Sequence, residues 1–363
     1  MSNILTELTE GAEIICIHFS SRKKPAGKYH RYPTPRGVSN VYVNPGTLDW
    51  YLDGLPDDGG LDGSVAALHN IIKESKASRV VCIGSSMGAW GAAYMAPMIG
   101  AHQVIMFGPE LELNLFGSYS TENIAARPGP LPVIKSSANC DYVAIAGMNS
   151  PCDIYTTIRF LGNLSGLYIL PLMGHATAYQ LNELGLLDGV IDGLINDHDT
   201  RPVLNALSFP GNAEMQAFFA GREYNQQTII DYVDHFMPAK HGDKFVTGVA
   251  SDLIVKKLNG NAFALLAHVA QSTPLSNDLK MLYLRCARKS KRNAAALITA
   301  DELAKSPAHR KHALWEKALV LERMKRSEEA HSIMATICRE HLEEPIYKTA
   351  AAKIAASTQT PLT

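Results

Sequence analysis

The stretch RVVCIGSSMGAWGAAYM, residues 79 to 95, restricts the fold more than any other part of the chain. A β-branched run, Arg79 to Ile83, reads as a buried strand and stops at a glycine; the Ala- and Met-rich run from Met87 to Ile99 reads as a buried helix. Between them lies Gly84-Ser85-Ser86-Met87-Gly88. This G-x-S-x-G spacing places a serine on a sharp strand-to-helix turn with its hydroxyl exposed. Gly84 and Gly88 are expected where neighbouring backbone leaves no room for a side chain.

The same alternation continues on either side. Short apolar runs at residues 13–19, 39–43, 79–83, 103–107, 142–147 and 167–172 predict six strands. Stretches suited to crossover helices lie among them, notably 62–74, 89–99 and 153–161. Strands that alternate with helices predict a mostly parallel, doubly wound sheet with helices on its faces. The sharp turn, the strand spacing and the chain order resemble the α/β-hydrolase fold. The resemblance covers about residues 1–195 and implies a reduced six-stranded core, because there is no room for two extra N-terminal strands. Residues 108–140 form a Pro- and Gly-punctuated insert where that family commonly carries a cap or long loop over its site.

From residue 196 to 363 the strand-like runs vanish, and an all-α region is expected. Ala262, Ala296 and Ala330 follow one another at 34 residues, and Pro274 and Pro307 come after the first two. That layout is similar to tetratricopeptide repeats. In the best unit, residues 313–337, Leu314, Ala318 and Leu321 line a first helix, and Ala330, Met334 and Ile337 a second. The pattern fits either a repeat-like stack or an ordinary helical bundle. Phe209, Met215, Phe218 and Phe219 are too apolar for water and predict packing of their segment on the sheet.

Composition narrows the function classes. The 363 residues carry 34 basic and 35 acidic side chains, which argues against a nucleic-acid or membrane surface held by bulk charge. The start, MSNILTELTEG, lacks the basic and apolar segments of a signal peptide, and no apolar run reaches a membrane span, so a cytoplasmic protein is expected. Cys16, Cys82, Cys140, Cys152, Cys286 and Cys338 show no C-x-x-C spacing, so neither a disulfide framework nor a zinc site is expected. No cofactor or metal is called for.

A serine hydroxyl becomes a nucleophile when a histidine takes its proton and a carboxylate fixes that histidine. Such groups belong on loops at the carboxyl ends of parallel strands. Asp153 follows the fifth strand and His175 the sixth, in the order serine, acid, histidine. Asp141 precedes its strand and belongs at the opposite edge of the sheet; Asp192 and Asp197 come after the histidine. Ser86, Asp153 and His175 are therefore the candidate triad. For the oxyanion, the family resembled implies the Met87 N–H and a donor from the loop after the first strand, at Ser20 or Ser21. The same loop holds Arg22, Lys23, Lys24, Lys28 and Arg31 among Tyr29 and Tyr32; Arg22, Tyr29, Arg31 and Tyr32 are candidate contacts to a polar or anionic substrate.

The leading expectation is a serine hydrolase cleaving an ester, on a small-molecule or glycan substrate, through an acyl-Ser86 intermediate. An acyltransferase to a sugar hydroxyl is the alternative, since FSSR, GSSMGAWGA and GHATA resemble hydrolase-like proteins associated with bacterial surface-glycan pathways. A non-catalytic interaction protein, docking a protein partner through its helical half, is the third reading.

Overall fold

The computed structural model describes residues 3–22, 24–196, 204, 206–209, 211–237 and 242–340. Its contacts divide them into two compact units that part between Phe236 and Met237.

The first unit is built on seven strands, β1 (Ile4–Glu7), β2 (Ile14–Phe19), β3 (Ser39–Val43), β4 (Arg79–Ser85), β5 (Gln103–Phe107), β6 (Asp141–Gly147) and β7 (Gly166–Leu170). Their order across the sheet is β1-β3-β2-β4-β5-β6-β7. All neighbours are parallel except β1, which runs antiparallel to β3 with Ile4 opposite Val43. The reduced six-stranded core is thus corrected to seven strands. β1 is a four-residue edge strand with two exposed positions, too short and too polar to declare itself as an apolar run.

The inner strands are buried on both faces, which is why they read as continuous apolar runs. Ile15, Ile17 and Phe19 of β2 face one core, together with Trp90, Ala93 and Met95 of α2 (Met87–Ile99) and Leu68 of α1 (Gly60–Ser75). Cys16 of β2, Val81 and Ile83 of β4, and Ile105 and Phe107 of β5 face the other. There they meet Leu181 of α5 (Thr177–Glu183) and Val190 and Ile191 of α6 (Leu187–Ile195), so the sheet is doubly wound. The insert contains only one helical turn, α3 (Thr121–Ile124), and is followed beyond β6 by α4 (Pro151–Arg159).

The change in composition at residue 196 falls inside this first unit. The Phe209 N–H donates to the Ile169 carbonyl and the Asn212 amide to the Leu167 carbonyl, which covers the β7 edge. Two helices follow, α7 (Asn212–Phe219) and α8 (Gln226–Phe236). Met215, Phe218, Phe219 and Tyr232 are buried there, and the Tyr232 hydroxyl donates to the Met148 carbonyl at 2.7 Å.

The second unit contains six helices among the described residues: α9 (Gly242–Val255), α10 (Asn259–Ser272), α11 (Asn277–Lys289), α12 (Asn293–Leu303), α13 (Pro307–Arg323) and α14 (Ser327–Glu340). They form three pairs with one backbone design. Lys257, Lys291 and Lys325, each 34 residues after the last, take φ of 61°, 63° and 61°. Each time the next N–H reaches back five residues to a carbonyl: Leu258 to Leu253, Arg292 to Ala287, Arg326 to Leu321. This is the left-handed turn that ends a helix and starts its partner. Ala262, Ala296 and Ala330 sit at equivalent buried sites in the second helix of each pair. Ala318, Leu321 and Ile337 are buried as well, with Leu314 and Met334 partly covered beside them. No helix among the described residues is long and apolar enough to cross a membrane.

Candidate active site

The chemistry of the first unit gathers at the carboxyl ends of β4, β6 and β7. Ser86 joins β4 to α2 with φ 56° and ψ −123°, a conformation that non-glycine residues rarely adopt and that costs about 1–3 kcal/mol. Its N–H donates to the Phe107 carbonyl at 3.0 Å, which ties the turn to β5. The two glycines of the motif answer to close backbone approach. A Cβ on Gly84 would lie 2.1 Å from the Gly88 carbonyl oxygen, and one on Gly88 would lie 2.3 Å from that of Phe19.

His175 sits on the loop after β7. That loop rests on the Asn149 side chain, whose Nδ2 donates to the Leu172 carbonyl at 2.8 Å, and on Gly147 and Gly108. A Cβ on Gly108 would stand 2.0 Å from the His175 carbonyl oxygen. Asp153 lies in the first turn of α4, fully buried, and its Oδ2 accepts from His175 Nδ1 at 2.8 Å. With Nδ1 carrying the proton, Nε2 is left as the acceptor for the Ser86 hydroxyl, at 2.7 Å. Serine, imidazole and carboxylate therefore form one hydrogen-bonded line, and Ser86 retains a slight exposure of 7 %.

The rival carboxylates lie elsewhere. Asp141 is exposed at the opposite end of β6, Asp192 accepts from the Asn196 side chain on α6, and Asp197 lies outside the described residues. The Met87 N–H belongs to the first residue of α2 and is one of the helix-end donors without an intrahelical acceptor. Ser20 and Ser21 do not share that freedom. The Ser20 N–H is spent on the Val43 carbonyl at 3.0 Å, and the Ser21 N–H on His30 Nδ1 at 3.0 Å.

Of the four candidate substrate contacts, the structure brings one to the site. The Arg22 guanidinium lies 4.1 Å over the ring of Tyr119, and that ring packs 4.5 Å from the imidazole of His175. Arg31 is instead captured by Glu7 of β1 at 2.7 Å and lies over Tyr42, with Tyr29 beside the same Tyr42 ring. Tyr32 is buried between His18 and Phe107, and burial raises its hydroxyl pKa well above the ordinary range. Lys23 lies outside the described residues.

The loop that carries Arg22 is braced by two neutral histidines. The Tyr32 N–H donates to Nδ1 of His18, whose Nε2 meets Asn40 Oδ1 at 2.8 Å. Burial pulls His18 down to about 4, and burial, reinforced by Lys24, does the same to His30.

Two neighbours escaped the sequence reading. Glu110 and Tyr119 come from the insert after β5, and Glu110 is fully buried. Glu110, Asp153 and His175 each present a ligand-type atom within 4.8 Å of the others, the one such group among the described residues. Both ring nitrogens of His175 are already engaged, so a cation held there would displace Ser86 or Asp153. All six cysteines are buried, and no disulfide joins any of them among the described residues.

No family model and no curated protein matches the chain. Among solved structures, it is similar to the capsule O-acetyltransferase of Neisseria meningitidis serogroup A, at 14 % identity and TM-score 0.38 over 52 % of this chain and 90 % of that one. It is also similar to a lidless a/b serine hydrolase, XC6422 from Xanthomonas campestris, at 15 % identity and TM-score 0.34 over 51 % and 86 %. A Staphylococcus aureus protein of unknown function matches at 12 % identity and TM-score 0.34 over 57 % and 94 %. Likeness at this level carries no conclusion about activity. The strand order and the serine turn are those of an α/β-hydrolase-type sheet on their own account.

Proposed function

We propose that the chain is a serine-dependent acyl-transfer enzyme acting on an ester. The observation that carries this reading is the line from Ser86 Oγ through both nitrogens of His175 to Asp153, with the serine on a strained turn at a helix start. The Ser86 hydroxyl gives its proton to His175 Nε2 as Oγ attacks the ester carbonyl, and Asp153 stabilises the imidazolium. The negative oxygen turns toward the Met87 N–H. With Ser20 and Ser21 spent, Arg22 is the next residue of that loop to supply a second backbone donor. The imidazolium then protonates the leaving alcohol, which leaves acyl-Ser86. Water activated by His175 releases the acid and restores the serine; a sugar hydroxyl in the same place makes the enzyme a transferase, with the same proton path. The cycle balances among these groups without metal or cofactor. Arg22 makes no ion pair among the described residues, which supports a polar or anionic substrate.

The catalytic role belongs to the first unit in this reading. The helical pairs serve as a tetratricopeptide-like surface for a protein partner, and a cytoplasmic location is part of the same proposal.

A fluorophosphonate probe on the full chain tests the core of it. A single adduct on Ser86, lost in Ser86→Ala together with turnover of model esters, is the expected result. An adduct on Ser85, or none on folded protein, overturns it. Adding sugar acceptors to the ester assay separates hydrolysis from transfer.

A further inference from the structure

Glu110 is the one buried carboxylate of the site that the scheme above leaves without a task. It stands three residues beyond the end of β5, at the edge of the sheet where Ser86 is tied to Phe107. Its side chain is bound from two sides. Oε1 accepts from the Tyr119 N–H at 2.6 Å and Oε2 from the Ser120 N–H at 3.1 Å. Two backbone donors, one on each oxygen, favour the ionised carboxylate over the acid.

An oxygen of Glu110 lies within 4.8 Å of a ring nitrogen of His175 and of a carboxylate oxygen of Asp153. Asp153 Oδ1 is buried with no hydrogen-bond partner among the described residues, so the aspartate is held to the ring through Oδ2. The Tyr119 amide that Glu110 fixes also carries the ring packed on His175.

We propose that Glu110 is a second anionic partner and positioning residue for His175, favouring its imidazolium and retaining the ring when Asp153 is neutral. The assignment rests on the acyl-transfer reading for its purpose, though not for its detection. During attack the Ser86 O–H bond breaks, the Oγ–acyl bond forms, and the proton moves to Nε2. The resulting imidazolium then faces two carboxylates, Asp153 from α4 and Glu110 from the insert. Ser86, Tyr119 and, across the Tyr119 ring, Arg22 also lie around the ring. Arg22 is a cation and works against the imidazolium, so the two acids must outweigh it.

The test is an NMR titration of labelled histidine in the full-length protein, with kcat/KM on a model ester followed against pH. Glu110→Gln keeps the shape and removes the charge, while giving up one of the two N–H bonds because an amide NH2 cannot accept. It is expected to lower the His175 pKa by about one unit and to move the acid limb of the rate profile down with it. Added to Asp153→Asn, the same change should cost at least about tenfold more in kcat/KM than it does in the wild type. A wild-type pKa and acid limb in Glu110→Gln would show a neutral brace for Tyr119 and overturn the proposal. Should Glu110→Gln not fold, Asp153→Asn alone decides. A His175 pKa at or above 6.5 supports the second anion; a value below it overturns the proposal, because a ring this buried with no anion beside it falls below its ordinary value. The titration needs no turnover. A failed phosphonate adduct with an intact Glu110 effect therefore removes the acyl-transfer reading alone.

Discussion

Acidification should weaken the first unit before most of its carboxylates are protonated, and His18 is the main reason. The ring is fully buried on β2, with one nitrogen on Asn40 and the other accepting from the Tyr32 N–H. Protonation would put a second hydrogen against that N–H. Burial depresses its pKa from 6.5 to about 4, the Asn40 bond opposing and the Arg31 charge reinforcing the shift. A depressed pKa means that the unfolded chain holds the proton more tightly. Stability from this group is therefore complete above pH 6.5 and is lost as pH falls toward 4. Between pH 6.5 and 5 one proton is taken up on unfolding, a loss of about 2 kcal/mol, and the full shift is worth about 3 kcal/mol. His30 is pulled down to about 4 as well and adds to this, by less because it is partly exposed. Against a typical total of about 5–15 kcal/mol this is a large share. Urea unfolding at pH 7, 6.5, 6, 5.5 and 5, read from the buried Trp50 and Trp90, measures it. A stability that stays flat over that window, or an NMR titration placing His18 near 6.5, refutes the reasoning.

Three further outcomes are expected. Gly88→Ala pushes a methyl into the Phe19 carbonyl and should cost about 1–3 kcal/mol in thermal or urea unfolding, together with most phosphonate labelling. A fragment ending at residue 195 bares the β7 edge and the surface covered by Phe218 and Phe219, and should aggregate; one ending at residue 237 should be soluble and label on Ser86, as size-exclusion chromatography and mass mapping would show. Arg22→Ala should raise KM about tenfold for an ester carrying a carboxylate or phosphate, and leave a neutral ester of equal size nearly unchanged, since one charged hydrogen bond is worth about 1.5–3 kcal/mol.

The sheet and the hydrogen-bonded line of Ser86, His175 and Asp153 were legible because both obey local rules. Strands buried on two faces must be apolar throughout, and Asp153 and His175 sit just past their strands, where the crevice opens. What escaped depended on partners far away in the chain. Arg31 looked like part of a cationic patch, and it is removed from the site by Glu7 of the unforeseen β1. Ser20 and Ser21 held the expected position, yet their amides are consumed by Val43 and His30. Glu110 was hidden in a segment with no periodicity. One signal could have found it, because it follows the end of β5 by three residues, on the rule that selected Asp153 and His175. The helical unit shows the converse. Its alanine spacing was visible, while the left-handed lysines that set the period occur at positions where glycine is the usual choice.

Those three lysine turns make length an adjustable property of the second unit. Because Lys291 and Lys325 close equivalent turns, copying residues 292–325 once in frame would join one turn to its own counterpart, and each helix would meet the kind of neighbour it already has. A chain so lengthened gains a whole helix pair of surface without any new junction having to be invented. Gene duplication can therefore resize this half of the protein while the serine turn, far upstream, stays under separate selection.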